Sequence, residues 1–406
     1  MIDLDSLLLS LWPIAQAGVP DTEEVSVEDA FDRVLAEPVV STMDVPGHDN
    51  TSMDGYAVRC ADFLEGRQFE VSQRVPAGSS PDPLLPGTVA RIFTGAPIPP
   101  GADAVIMQEE ANVAEDGLVS FASVPRLGQW IRRRGEDILA NQVLVPAGTR
   151  LNAFKVSLIA SVGVHRLVVY RRLKIGVFVT GSELQRPGQA LKPGQIYNSN
   201  EYVWRGLLRA MNVEVKCLGI VPDSLEATCT ALRSLMDCDV VISSGGVSVG
   251  EEDHVKPAVE SMGVLSSWKV ATKPGKPLAV GELHRSDGST CRFFGLPGNP
   301  VSSSVAFLLL VKPFIGLMQG RNVESVDWRL KLRDKIADFD WLRPDTRREE
   351  FLRVTETARG LALFPNQSSG VLTSMDQSTG LVRLPVGKVV SAGDTLSYID
   401  FQDLMQ

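Results

Sequence analysis

The sequence predicts a multidomain α/β protein whose centre is an α/β domain with a mostly parallel sheet. Three observations carry this. Between about residue 173 and 318, apolar runs with strand character alternate with segments of helical period, the pattern of a parallel sheet covered by helices on both faces. Between about 39 and 150, short β-like runs alternate with turn clusters, which marks a β-rich region. After about 325 the helical period disappears and short β-like runs return, which marks a small C-terminal β-domain. The 406 residues exceed one ordinary domain of roughly 150 residues, so several are expected.

The elements follow in order. Residues 3–17 and 27–36 read as helices, the second opened by Ser26 and Asp29 in a capping-box arrangement and closed by Pro38. The β-rich part offers runs at 89–93, 104–107 and 143–145, separated by clusters such as PAGSSPDPLLPG and TGAPIPPGADA. Residues 152–162 read as a helix. In the α/β part the strands are 173–179, 213–221, 240–243 and 292–296. The helices are 201–211, 225–236 after Ser224, 255–262 and 301–318. The C-terminal runs are 328–332, 350–354, 361–364, 381–384 and 395–399.

Composition excludes several classes. Forty Lys and Arg against 49 Asp and Glu give a net charge of −9, the wrong field for a general nucleic-acid or membrane-surface binder. If the ligand is anionic, the positive charge must be local. The first 18 residues carry Asp3 and Asp5 and no basic residue, unlike a signal peptide, and read as an amphipathic helix. The apolar run 305–311 stops at Lys312-Pro313, short of the roughly 20 residues a membrane span needs. Five widely spaced cysteines without a CxxC pair suggest reduced thiols and a cytoplasmic protein. The four histidines are scattered singletons, which gives a histidine-based metal site little support.

Ligands of open parallel sheets bind beyond the carboxyl ends of the strands. Three predicted strands end in clusters of small residues: Thr180-Gly181-Ser182-Glu183, then Ser243-Ser244-Gly245-Gly246-Val247-Ser248-Val249-Gly250, then Gly295-Leu296-Pro297-Gly298-Asn299-Pro300. Glycine lets backbone N–H groups approach an oxyanion. Asn299 suits an N-cap and Pro300 an N1 position, so the helix beginning there offers free N–H groups and a positive dipole end. One such cluster alone is more often a tight strand-to-helix turn; three at three strand ends favour an anion site.

Lys273-Pro274-Gly275-Lys276-Pro277 supplies local positive charge on a stiff turn, where each Lys–phosphate attraction is worth about 4 kcal/mol before desolvation at an effective dielectric of about 20. The bland alternative is two solvated lysines. Glu183, Asp223, Glu251, Glu252 and Asp253 lie close by in sequence. Carboxylates beside a phosphate site imply a divalent cation such as Mg²⁺, or else serve helix N-termini; Asp223 and Asp253 are the better metal or base candidates.

A rival class is a serine hydrolase, because Gly246-Val247-Ser248-Val249-Gly250 satisfies GxSxG and Asp253 and His284 follow in hydrolase order. Asp253 is too near Ser248 in sequence for that layout, and the flanking Ser-Ser-Gly-Gly suits an extended anion loop better. No Walker A loop is present, and no GxGxxG opens a helix. The β-rich part adds Asp49–Ala57, Thr94-Gly95-Ala96-Pro97 and Ile131–Ile138. The last holds Arg132, Arg133 and Arg134, either an oxyanion grip or an exposed charged turn.

Taken in order, DNTSMDGYAV, TGAPIPPGADAV, RRRGEDI, PAGTRL, TGSEL, VISSGGVSVGEEDH, KPGKPLAVG and GLPGNPVS resemble the MoeA family of molybdopterin molybdenumtransferases, to which the E domain of gephyrin is similar. The resemblance covers about residues 26–320, and is weaker beyond, through Asn366-Gln367-Ser368-Ser369. It implies the same multidomain α/β class. A molybdopterin-binding-like α/β domain would span 172–324 and a β-rich inserted domain 48–132. A helical and extended N-terminal domain would take 1–47 plus 133–171, and a small β-barrel-like domain 325–406.

It also implies insertion of molybdenum from molybdate into adenylylated molybdopterin, with hydrolysis of the adenylate to molybdenum cofactor and AMP. That step would depend on Mg²⁺ or another divalent cation. The implied assembly is a homodimer whose cleft joins the α/β domain of one subunit to the β-rich domain of the other. It would meet other cofactor-biosynthesis proteins and acceptor apo-enzymes, and no nucleic acid or membrane.

Carried over by motif, Asp54, Asp137, Glu183, Asp223 and Asp253 are the candidate catalytic residues, with Glu183, Asp223 and Asp253 as metal ligands. Thr94, Arg132, Thr180, Ser243, Gly245, Gly246, Ser248, Lys273, Lys276, Pro297, Gly298, Asn299 and Ser369 are the candidate substrate-binding residues. The chain departs from common members at Ser182, Asn198, His48, Ser52 and the Ser368-Ser369 pair. At Ser182 an Asp often stands beside the acid, and the serine reads as a tolerated neighbour of Glu183. Two other readings stay open: a molybdopterin adenylyltransferase-like enzyme, and a gephyrin-like scaffold.

Overall fold

The computed structural model describes residues 1–405 except 64–65, 246–253 and 276. Two compact units form. Met1–Glu37, Ala147–Ala153 and Arg166–Gln406 make the larger, and Pro38–Pro146 with Phe154–His165 the smaller.

Helix α1 (Leu4–Ala17) opens the larger unit. Asp3 caps it by accepting the Ser6 N–H at 2.8 Å, and Leu4, Leu7, Leu8, Leu11 and Ala15 form its buried stripe. The helix expected over 27–36 does not form. Val27–Asp29 makes a single 3₁₀ turn, Asp32 takes φ +61°, and Val34 and Leu35 bridge to Arg150 and Val169. The Ser26–Asp29 cap is real, but pairing with the strand Arg166–Tyr170 overrides helical propensity one turn later.

In the smaller unit a short ladder joins β1 (Asn50–Thr51) to a strand described below. The main sheet contains β2 (Gly55–Val58), β3 (Val71–Val75), β4 (Val89–Ile92) and β5 (Ala104–Met107) in the order β3-β4-β2-β5. The partner of β1 is β6 (Ile131–Arg132), with Arg132 opposite Asn50. Gly55 is required here, because a Cβ would lie 1.9 Å from the Ile106 carbonyl oxygen. Helix α2 (Ala153–Ser161) follows, as expected.

The α/β part contains β7 (Lys174–Thr180), α3 (Asn200–Ala210), β8 (Glu214–Val221), α4 (Leu225–Ser234), β9 (Val240–Ser244), α5 (Val255–Glu260), β10 (Gly263–Lys269), β11 (Thr272–Lys273), β12 (Pro277–His284), β13 (Thr290–Leu296) and α6 (Pro300–Met318). The sheet order is β8-β7-β9-β13-β12-β10. The first four strands are parallel, as predicted; β12 and β10 are antiparallel and were not.

Alternation sorts the two faces. Ile175, Val177, Val240, Ile242 and Phe294 join α1, α3 and α6 in one core, while Phe178, Val241 and Phe293 join α4 and α5 in the other. Helix α6 is long and apolar enough to cross a membrane, but 89% of it is buried within this core. Its middle, Phe307–Val311, is π-helical. The β-like run expected at 328–332 is instead a 3₁₀ turn, Trp328–Lys331. The indole Nε1 of Trp328 donates to the Leu309 carbonyl of that π stretch at 3.1 Å, which holds the chain in a turn.

The C-terminal sheet contains β14 (Arg333–Ile336), β15 (Glu349–Thr357), β16 (Gly360–Leu363), β17 (Gly380–Leu384) and β18 (Thr395–Asp400). Its order is β11-β15-β17-β18-β14, with β16 on the side of β15, so β11 ties this sheet to the segment between β10 and β12.

Candidate functional site

The strand register assembles the first part of the site. Val179, Ser244 and Leu296 lie in one row across β7, β9 and β13, and Thr180 pairs with Val221 at the next position. The segments beyond these residues therefore emerge side by side at the carboxyl edge of the parallel strands. Thr180 Oγ1 donates to Asp223 Oδ1 at 3.1 Å, which joins the ends of β7 and β8. Glu183 is exposed, and its carboxylate folds back over Gly181, where a Cβ would lie 2.6 Å from Glu183 Oε2.

Gly245 takes φ +87°, and a Cβ on it would lie 2.2 Å from the Thr180 carbonyl oxygen. Glycine there lets the backbone at the end of β9 pass directly over the end of β7. Ser243 is wholly buried and its hydroxyl has no partner among the described residues. Ser244, which the sequence did not single out, carries the connection instead. Its Oγ donates to Pro297 O at 3.2 Å, and Asn200 Nδ2 reaches both Ser244 Oγ and Gly298 O at 2.8 Å. Asn200 thus clamps the ends of β9 and β13 from the first turn of α3. In the sequence it only precedes the helix read at 201–211.

At Pro297-Gly298-Asn299, the helix start is as predicted, with Asn299 at the N-cap and Pro300 in the first turn, but the Asn299 side chain does not cap. Its Nδ2 donates to Ser369 Oγ at 3.1 Å, while Ser369 O accepts the Val301 N–H at 3.0 Å. The C-terminal domain thereby reaches the first turn of α6. Gly298 is exposed, has an ordinary φ, and among the described residues has nothing within 4 Å of a Cβ position. Neither backbone strain nor packing demands a glycine there.

Lys273 lies on β11 beside β15, and its ammonium is 2.9 Å from Glu350 Oε1. Glu350 is buried, and its other oxygen accepts from Trp341 Nε1 and the Asp345 N–H, both at 2.9 Å. The pairing corrects the picture of two lysines facing open space: one already has an anion from the C-terminal sheet. Only burial reveals Glu350, since in sequence it is one acid among several. Gly246, Ser248, Asp253 and Lys276, with Glu251 and Glu252, lie outside the described residues, as does the Ser248–Asp253 part of the hydrolase reading. Among the described residues no three of His, Cys, Asp and Glu group as a metal site.

The remaining candidates lie in the smaller unit. Asp54 Oδ1 accepts both the N–H and the hydroxyl of Thr94 at 2.7 Å. These two hydrogen bonds, aided by Arg91, hold its carboxyl below the usual Asp range. Of the three arginines, Arg133 pairs with Asp49 and Arg134 with Asp44, each at 2.6 Å. Arg132 is exposed with no ion-pair or hydrogen-bond partner for its side chain among the described residues, and the Asp137 carboxylate is likewise exposed and unpaired. Among the departures, Asn198 is buried and donates to Glu201 Oε2 at 2.8 Å, a contact that a second carboxylate could not make when ionised.

Three family models match the chain: the MoeA N-terminal region (domain I and II) over residues 4–163, a probable molybdopterin binding domain over 176–316, and the MoeA C-terminal region (domain IV) over 340–401. A molybdopterin molybdenumtransferase of Nostoc sp. is 37% identical over 96% of this chain and 91% of its own. The chain belongs to the MoeA family. Another relative of that name, from Haemophilus influenzae, is 42% identical over 74% of each chain. A crystal structure titled as a molybdopterin biosynthesis MoeA protein of Pyrococcus horikoshii aligns over 99% of both chains, at 30% identity and a TM-score of 0.75. A second structure from that organism gives 26% identity and a TM-score of 0.79, over 98% of this chain and 99% of that one. The MoeA fold therefore includes the mixed six-stranded sheet and the C-terminal sheet described above.

Proposed function

We propose that the chain is a molybdopterin molybdenumtransferase, inserting molybdenum from molybdate into molybdopterin during molybdenum cofactor biosynthesis. We further propose that the substrate is adenylylated molybdopterin and that the adenylate is hydrolysed, releasing AMP. The observation that carries this reading is the open start of α6. Gly298 and Asn299 are exposed, no described residue occupies the Cβ position of Gly298, and Ser369 joins the turn from the C-terminal sheet side. A glycine that neither strain nor packing requires is accounted for if an oxyanion approaches its backbone. The names borne by the relatives support the identity of that anion.

In this reading Pro297, Gly298 and Asn299 bind phosphate or molybdate oxygens through backbone N–H groups and the helix dipole. Lys273 and Lys276 add charge, with Glu350 fixing the Lys273 ammonium. Thr180, Ser243, Gly245, Gly246, Ser248 and Ser369 complete the substrate-binding set. Mg²⁺ fits an all-oxygen donor set of Glu183, Asp223 and Asp253, and would supply charge neutralisation at the phosphate. Of these, Asp223 is already oriented by Thr180. Asp54, Thr94, Arg132 and Asp137 are proposed to serve the same reaction in a cytoplasmic homodimer of four-domain subunits, Arg132 through its unpaired guanidinium.

The test is incubation of the purified protein with adenylylated molybdopterin, molybdate and Mg²⁺. AMP release that depends on molybdate supports the reading; ATP consumption without molybdate would favour an adenylyltransferase instead. Gly298→Ala should keep its thermal stability within about 0.5 kcal/mol yet raise KM for the pterin substrate about tenfold. Unchanged KM removes the anion role of this turn. A monomer by sedimentation would remove the dimer.

A further inference from the structure

The C-terminal sheet holds a second buried charge besides Glu350. Arg353, on β15, is 1% exposed, yet no carboxylate accompanies it. Its guanidinium donates to Ser374 Oγ at 3.2 Å, Phe351 O at 3.3 Å and Ser368 O at 3.3 Å. Desolvation pulls its pKa down to about 10, with no offsetting charge. A buried ion with only neutral partners is costly, and an apolar side chain of similar volume would be more stable there. Its retention needs a reason other than stability.

The reason lies in what it grips. Segment 366–374 runs from the loop after β16 into the short helix Thr373–Asp376; it has hydrogen bonds of its own, such as Ser374 Oγ to Val371 O, and its bonds to β15 all go to Arg353. The Arg353 N–H donates to Gln367 Oε1 at 2.9 Å, Gln367 Nε2 donates back to Arg353 O at 2.9 Å, and the guanidinium takes Ser368 O and Ser374 Oγ at the two ends. Ser369 follows directly in the chain, and it is the residue that contacts Asn299 and Val301.

We propose that Arg353 is a positioning residue that fixes loop 366–374, so that Ser369 is presented to the first turn of α6. It touches no substrate; it sets the shape of the anion site through Ser368 and Ser369. The role in turnover rests on the function proposed above, whereas the role in holding the loop does not.

The experiment compares Arg353→Met, Arg353→Lys and, as a surface control, Arg359→Met. Arg359 is 84% exposed and pairs only with Asp338. Peptide-resolved hydrogen exchange is read first. Arg353→Met should speed exchange in 298–303 and 366–374 by about tenfold while β17 and β18 keep their protection. Arg353→Lys should fall between it and the unsubstituted protein, and Arg359→Met should change nothing.

KM for molybdate should then rise about tenfold in Arg353→Met with kcat within about threefold. Unchanged exchange at 298–303, equal acceleration across the whole C-terminal sheet, or faster loop exchange with an unchanged KM would each overturn the proposal. If Arg353→Met does not fold, Ser374→Ala removes one acceptor of Arg353, together with the hydroxyl's own bond to Val371 O, with little change of volume. It should speed the same two peptides about threefold, and no change there is equally fatal. If the unsubstituted protein inserts no molybdenum, the function proposed above fails, and the exchange pattern still decides the role of Arg353.

Discussion

The strand-end loops of the larger unit and the charged loops of the smaller unit manage polar groups in opposite ways. At the strand ends, Thr180 bonds to Asp223, and Asn200 bonds to Ser244, which in turn bonds to Pro297, so the links described there are mostly between neutral groups brought together by the parallel register. In the smaller unit, charge is abundant and mostly cancels. Asp49 takes Arg133, Asp44 takes Arg134, and Arg132 has no side-chain partner among the described residues. The lesson is that a run of like charges in sequence says little until its partners are known. Register, by contrast, fixes a set of neighbours at once.

The comparison breaks first at its glycines. Gly245→Ala should be the most damaging substitution at the strand ends, because a Cβ meets the Thr180 carbonyl in a backbone conformation alanine disfavours. A loss of about 3 kcal/mol or more is expected by chemical denaturation, with loss of activity. Gly55→Ala should be comparably destabilising in the smaller unit, where the clash is with Ile106. A mild effect of Gly245→Ala would mean that the backbone at the end of β9 does not need to cross β7 so closely.

Next comes the ion pair that joins a strand-end loop to the C-terminal sheet. Lys273→Met leaves Glu350 buried without its cation and should cost about 1–3 kcal/mol, since Lys273 is itself partly exposed. Adding Glu350→Gln should recover most of that stability without recovering activity. Recovery of both in the double variant would make Lys273 merely structural.

A smaller contrast separates the arginines. Arg133→Gln should cost about 0.5–1 kcal/mol, the worth of an exposed pair, with little effect on turnover. Arg132→Gln should leave stability within about 0.5 kcal/mol and lower kcat/KM about tenfold. The reverse ranking would reassign the oxyanion grip.

The smallest effect concerns Asp54. Its carboxyl titrates below the ordinary value of 3.8 because Thr94 donates to it twice. A depressed folded-state pKa contributes stability above the unfolded value, and that contribution is lost as pH falls through the folded one. Thr94→Val should therefore raise the Asp54 pKa, read by carboxyl carbon NMR below pH 5, and flatten the acid limb of stability slightly. No movement would mean that the backbone N–H of residue 94, which valine keeps, holds the carboxyl low with Arg91, without help from the hydroxyl.

Much of the fold was legible because β7, β8, β9 and β13 include long apolar runs, and the central ones are covered on both faces. Strands β10 and β12 escaped notice since Gly263, Ser266 and Ser267 break up the first, and Gly281 and Glu282 the second. The predicted helix at 27–36 failed where Val34 and Leu35 found cross-strand partners. In the site, the strand-end motifs at Thr180, Gly245 and Pro297–Asn299 were readable as glycine and hydroxyl clusters. Asn200, Glu350 and Arg353 were not. Their importance comes from being buried beside residues 44 to 98, 77, and 15 to 21 positions away, respectively, and no local pattern encodes that.

Helix α1 is also held from the far end of the chain, because Arg383 donates to Asp5 at 2.9 Å across 378 residues of sequence. During synthesis the first helix leaves the ribosome long before its partner exists. The stretch Pro38–Pro146, by contrast, brings most of the smaller unit with it. The larger unit is therefore expected to close only once β17 has been made. A nascent or truncated chain would carry the strand-end glycine loops without Glu350, Arg353 and Ser369, and so could not begin to capture a scarce anion before the protein is whole.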